Sequence, residues 1–132
     1  MLFMILQAKD ALGKIPSLNE DLLDVNGNYL QKGDMFWLAI DENQRVVASL
    51  GFNSLPYGEA RLHRFFVKAD MKRRGIGTAM LTYAENYLKS LGKKSASAHL
   101  GEYKYFYESY NFYAKQGYEE YKPRYMIKYF YK

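Results

Sequence analysis

Between Phe65 and Thr78 the chain reads Phe-Phe-Val-Lys-Ala-Asp-Met-Lys-Arg-Arg-Gly-Ile-Gly-Thr, and this segment constrains the fold more than any other. Its apolar opening reads as the end of a strand. From Gly75 to Leu91 the apolar residues change period. Met80, Leu81, Ala84, Tyr87, Leu88 and Leu91 form one stripe at helical spacing. A strand that passes into a helix through a short basic loop with two glycines demands a sheet with a helix packed on it. The junction also has a chemistry. The first turn of a helix presents backbone N–H groups that have no intrahelical partner, together with a partial positive charge. Glycines let an anion approach that backbone closely, and Arg73 and Arg74 add positive charge beside it. Taken alone, Gly75 and Gly77 also serve a plain tight turn. The third glycine of the dinucleotide-binding fingerprint is absent, as is the Gly-Lys-Ser/Thr of a P-loop.

The rest of the chain supplies the sheet. Ser17-Leu-Asn-Glu20 reads as a capping box that opens a short helix. Met35–Ile40 and Arg45–Phe52 are apolar runs separated by the polar turn Asp41–Gln44, so they predict a hairpin. Arg61–Val67 is a third strand, on which Arg61, His63, Phe65 and Val67 share a face. Gly92 closes the helix that follows, with Lys89, Lys93 and Lys94 near its negative end. Ser95–Leu100 predicts a strand, Glu102–Gln116 an aromatic-rich helix closed by Gly117, and Tyr125–Tyr131 a last strand. Hairpins first and a strand-helix-strand unit later mean a mixed, mostly antiparallel sheet flanked by helices, an α/β (α+β) class.

Composition narrows the chemistry. A chain of 132 residues predicts a single domain over 1–132. With no cysteine there is no disulfide and no thiol nucleophile, and with only His63 and His99 as histidines no metal is expected. No apolar run reaches the ~20 residues of a membrane span and no basic leader precedes MLFMILQAKD, so the expected compartment is the cytoplasm and no membrane partner is expected. Residues 1–67 carry a net charge of −2 and residues 68–132 one of +7, from Lys, Arg, Asp and Glu. A basic half invites an anionic partner, and composition does not choose among nucleic acid, an anionic surface and a polyphosphate.

Lys72-Arg-Arg-Gly-Ile-Gly-Thr78 resembles the acetyl-coenzyme-A loop of the GNAT superfamily of N-acetyltransferases, Gln/Arg-x-x-Gly-x-Gly/Ala at a strand-to-helix junction, with Lys72 departing at the first position. Phe112-Tyr-Ala-Lys-Gln-Gly-Tyr118 resembles the second landmark of that family, a helix ending in Phe-Tyr-x-x-x-Gly-Phe, with Tyr118 in place of the last Phe. Tyr29–Ala39 is similar to the stretch that leads into the family's second strand. The resemblance runs over about residues 18 to 130. It implies a GNAT-like acyl-CoA N-acyltransferase fold, here with a shortened N-terminus, since only 34 residues precede Met35. The first strand of such a fold either falls on Phe3–Ala8 or is missing.

The resemblance also implies roles. Backbone amides of Arg73, Arg74, Gly75, Ile76, Gly77 and Thr78 would hold the pyrophosphate of acetyl-coenzyme A. Phe65, Phe66 and Val67 would pair with its pantetheine arm like an added strand. Tyr113 would protonate the leaving thiolate as a general acid, and a phenol suits this because its pKa of roughly 10 lies near that of a thiol. His63 is a candidate for the base that deprotonates the amine, with Glu59 second, directly or through water, and His99 third. Locally, each of these residues also reads as an ordinary strand or core position. Acetyl transfer to a primary amine by direct attack in a ternary complex is the expected function. A catalytically silent coenzyme-A-binding or interaction domain and a basic nucleic-acid-binding module are the alternatives. The acceptor amine stays open, and a last strand at a sheet edge would permit a homodimer.

Overall fold

The computed structural model describes residues 3–7, 34–69 and 75–131. The described elements are β1 (Phe3–Gln7), β2 (Met35–Asp41), β3 (Val46–Ser54), a single 3-10 turn (Pro56–Gly58), β4 (Glu59–Val67), α1 (Ile76–Ser90), β5 (Ser95–His99), α2 (Tyr103–Lys115), β6 (Glu119–Lys122) and β7 (Tyr125–Tyr129). The strands form one seven-stranded sheet in the order β1-β2-β3-β4-β5-β7-β6. It is mixed: β4 and β5 run parallel, while β1–β2, β2–β3, β5–β7 and β6–β7 run antiparallel. This is the expected class. The first strand is present at Phe3–Gln7. The predicted capping box at Ser17–Glu20 and the tract from Tyr29 to Gly33 lie outside the described residues.

Contacts divide the chain into two compact units, residues 1–53 with 63–84 and residues 54–62 with 85–132. In the first unit, every residue of β2 is buried. An unbroken apolar run is what a strand covered on both faces requires. Trp37 is its anchor, stacked on Phe52 at 5.9 Å and meeting Tyr83 of α1 edge-on at 6.2 Å. Burial of such a side chain contributes roughly 2–3 kcal/mol. The β2–β3 hairpin closes on Asp41, whose Oδ1 accepts the Asn43 and Arg45 amides, each at 2.9 Å, while Arg45 Nε donates to Oδ2 at 2.9 Å. A polar turn was expected at this point. The carboxylate supplies its geometry.

The α1 stripe buries Ile76, Met80, Leu81, Ala84 and Leu88, of which Met80, Leu81, Ala84 and Leu88 belong to the predicted set. In the second unit, α1 ends at Gly92 with φ +79, where Lys93 N–H donates to the Leu88 carbonyl and Gly92 N–H to the Lys89 carbonyl. That double closure is a Schellman motif, which needs a left-handed residue where glycine stands. The end of α2 closes in the same way, from Tyr118 to Tyr113 and from Gly117 to Ala114. Phe106 interrupts α2 with φ −127 and ψ 24. Strand β6 went unpredicted because all four of its residues are exposed and carry no apolar alternation.

Candidate functional site

The first unit holds the strand end and the helix opening. Along β4, His63, Phe65 and Val67 are half-buried, while Arg64 and Phe66 are exposed, Phe66 at 61%. The register of β4 against β5 stops at the pair Leu62–Ala98, so the last five residues of β4 run on beyond it. Within that stretch Arg64 takes φ +51, a left-handed conformation that is rare for a residue with a Cβ. The Ser49 hydroxyl on β3 donates to the Arg64 carbonyl at 2.8 Å. Past this point the Lys68 N–H donates to the Val47 carbonyl at 2.8 Å, so the segment remains tied to β3.

At the start of α1, Gly75 has φ +81, and a side chain built there would meet no atom of the described residues within 4 Å. Among the described residues, the first bond of the helix runs from Ala79 N–H to the Gly75 carbonyl at 3.0 Å. The amides of Ile76 and Gly77 therefore lie ahead of the hydrogen-bond ladder, on the positive end of the helix. Gly75, Ile76, Gly77 and Thr78 thus form a helix opening whose first residue takes a backbone conformation that glycine favours. Arg73 and Arg74 lie outside the described residues.

The second unit holds the remaining candidates. Glu59 Oε2 accepts the Ser97 hydroxyl at 2.6 Å and the Arg61 guanidinium at 3.2 Å, and Arg61 Nε donates to Ser97 Oγ at 2.9 Å. The register explains the triangle. Arg61 faces Ser97 across the parallel ladder, and Glu59 lies one pleat back on the same face. Sequence gave no sign of this network, because Ser97 carries no pattern of its own in a run of small residues. Arg61 also lies over the Tyr125 ring at 4.8 Å, and His99 stacks on the same ring at 4.5 Å.

Tyr113, on the last turn of α2, is buried, with 4% of its surface exposed. Burial pushes its phenol well above the ordinary tyrosine range, so it keeps its proton. Its ring meets the Tyr118 ring edge-on at 5.1 Å. Tyr118 in turn donates its hydroxyl to Glu85 Oε2 at 2.7 Å, and Lys128 Nζ lies 3.1 Å from Glu85 Oε1. The hydroxyl that distinguishes Tyr118 from the expected phenylalanine therefore has a use, in a network that sequence reading did not find. Among the described residues, no group of three or more His, Asp or Glu is placed to hold a metal, and no helix is long and apolar enough to cross a membrane.

Comparison with known proteins gives three findings. The family model described as the acetyltransferase (GNAT) family matches residues 6–118. No curated protein sequence matches the chain. Among solved structures, a GNAT-family acetyltransferase from Staphylococcus aureus Mu50 is similar with a TM-score of 0.80 at 21% identity, over 97% of this chain and 99% of that one. An acyl-CoA N-acyltransferase-like protein from Klebsiella pneumoniae is similar with a TM-score of 0.74 at 14% identity, over 98% and 99%. Ard1 from Thermoplasma volcanium is similar with a TM-score of 0.73 at 17% identity, over the whole of both chains. At such identities the structural likeness concerns the fold alone.

Proposed function

The chain belongs to the GNAT family of acetyltransferases, and from that premise we propose that it moves the acetyl group of acetyl-coenzyme A to a primary amine by direct attack in a ternary complex. The observation that carries this reading is the opening of α1. Gly75 in a left-handed conformation leads into the Ile76 and Gly77 amides ahead of the helix ladder. Backbone donors in this arrangement bind a diphosphate without needing particular side chains.

In the proposed reaction the amine nitrogen attacks the thioester carbonyl carbon. A C–N bond forms, the C–S bond breaks, and the amine loses a proton while the departing thiolate gains one. Gly75, Ile76, Gly77 and Thr78 hold the pyrophosphate, and the motif's resemblance assigns the Arg73 and Arg74 amides to the same role. The backbone of Phe65, Phe66 and Val67 lies along the pantetheine arm. His63 takes the proton of the amine, with Glu59 the second candidate. The Glu59 carboxylate is engaged by Arg61 and Ser97. Tyr113 gives a proton to the thiolate; burial keeps it protonated and also lifts it above the ordinary phenol range that matches a thiol. The chain has no cysteine, so direct attack needs no acetyl-thioenzyme. Most of the acceleration then comes from holding the two reactants in place.

The test is thiol release from acetyl-coenzyme A over a panel of primary amines comprising spermidine, free lysine, glucosamine and an unblocked alanyl peptide. Amine-dependent release supports the reading. Binding of acetyl-coenzyme A without turnover on any of these amines would instead favour a silent coenzyme-A-binding domain.

A further inference from the structure

The left-handed residue inside β4 has a named support. Arg64 carries a Cβ, so φ +51 is unfavourable for it and persists only where its surroundings hold it. Its carbonyl accepts the Ser49 hydroxyl at 2.8 Å, from the neighbouring strand β3. A trans peptide is planar, so fixing the Arg64 carbonyl also fixes the plane that joins Arg64 to Phe65. That plane sets the direction in which the Phe65–Val67 backbone leaves the turn. We propose that Ser49 is a positioning residue for acetyl transfer, its hydroxyl holding the left-handed turn at Arg64 and thereby aiming the Phe65–Val67 edge. The inference builds on the proposed role of that edge beside the pantetheine arm.

The consequence is a separation of affinity from rate. The diphosphate grip at Gly75–Thr78 does not involve Ser49, so coenzyme A affinity survives its loss. The placement of the thioester depends on the β4 edge, and a shift of about 1 Å at a reacting group costs on the order of 10²-fold in rate. Side-chain size at position 49 is a lesser matter, since Ser49 is only half-buried.

The experiment measures kcat and KM for acetyl-coenzyme A with whichever panel amine the unmutated protein acetylates, alongside calorimetric affinity for coenzyme A. Ser49→Ala is expected to lower kcat at least tenfold while KM and the coenzyme A affinity stay within about twofold, and Ser49→Thr to restore most of the rate. Arg64→Gly placed in the Ser49→Ala background is expected to recover at least threefold in kcat, because glycine takes φ +51 unaided. A merely structural serine would not produce that rescue. A Ser49→Ala protein with an unchanged kcat, or one whose rate falls only in step with its coenzyme A affinity or melting temperature, overturns the assignment to Ser49 and leaves the acetyltransferase reading standing. An unmutated protein that binds acetyl-coenzyme A but acetylates no amine overturns both.

Discussion

The Tyr118 hydroxyl donates to Glu85 Oε2 at 2.7 Å across 33 residues of sequence, and Lys128 closes the other side of the same carboxylate at 3.1 Å. The three groups tie the second half of α1, the end of α2 and β7 together within one unit. Removing the phenol oxygen leaves a buried carboxylate with one partner fewer. Tyr118→Phe should therefore cost about 1–3 kcal/mol in chemical denaturation, even though phenylalanine is the residue the family pattern expects.

The same burial has a signature at high pH. Tyr113 and Tyr118 keep their protons in the fold well above the ordinary tyrosine range, by desolvation first and, for Tyr118, by the Glu85 charge second. In the unfolded chain both phenols release protons near 10. Above that pH the unfolded state binds fewer protons than the folded one, so stability falls as pH rises. Melting temperature recorded from pH 8 to 11 should decline beyond about 10, and the double variant Tyr113→Phe/Tyr118→Phe should decline less steeply.

At low pH the Asp41 turn governs a second trend. The Arg45 amide, against the opposing effect of burial, together with the Arg45 guanidinium and the Asn43 amide, lowers the Asp41 carboxyl below its ordinary value of 3.8. A depressed folded pKa gives stability that is present above the unfolded value and lost as pH falls below it. Asp41→Asn should melt at a lower temperature than the unmutated protein at pH 7, and the two curves should converge as the pH drops below about 4. A gap that stays constant from pH 7 to pH 3 would contradict the ionic part of the turn.

These cases show what sequence could and could not supply. The α1 stripe from Met80 to Leu88, the β2–β3 hairpin and the Gly92 stop were legible because each rests on spacing or on a residue with special backbone freedom. Strand β6 was not, since Glu119–Lys122 is exposed throughout and carries no period. Pairings between distant positions, such as Arg61 with Ser97 or Tyr118 with Glu85, depend on register and on helix placement, which no local pattern encodes. The left-handed Arg64 was equally invisible, because nothing about an arginine between His63 and Phe65 announces positive φ. The glycine opening of α1 was readable because Gly75 takes φ +81, a backbone conformation that glycine favours.

The acid and base assignments separate by mutation. Tyr113→Phe should lower kcat about 10²-fold with little change in coenzyme A affinity, and an unchanged kcat would remove Tyr113 from the chemistry. His63→Gln should reduce kcat by a similar ~10²-fold with a near-normal melting temperature. Glu59→Gln should instead loosen the bonds to Ser97 and Arg61, costing about 1 kcal/mol of stability, while kcat stays within about threefold. The opposite ranking would move the base from His63 to Glu59.

The direct measurement is a calorimetric titration with acetyl-coenzyme A, run on the unmutated protein and on Gly77→Glu. A carboxylate placed in the first turn of α1 opposes a diphosphate by charge and by bulk, and one substitution of glycine in a helix does not threaten the fold. The unmutated protein should give a saturable heat of one-site binding, and Gly77→Glu should give none while keeping the same far-ultraviolet circular dichroism. No heat from the unmutated protein, or equal affinity in the two proteins, would contradict a diphosphate held at the opening of this helix.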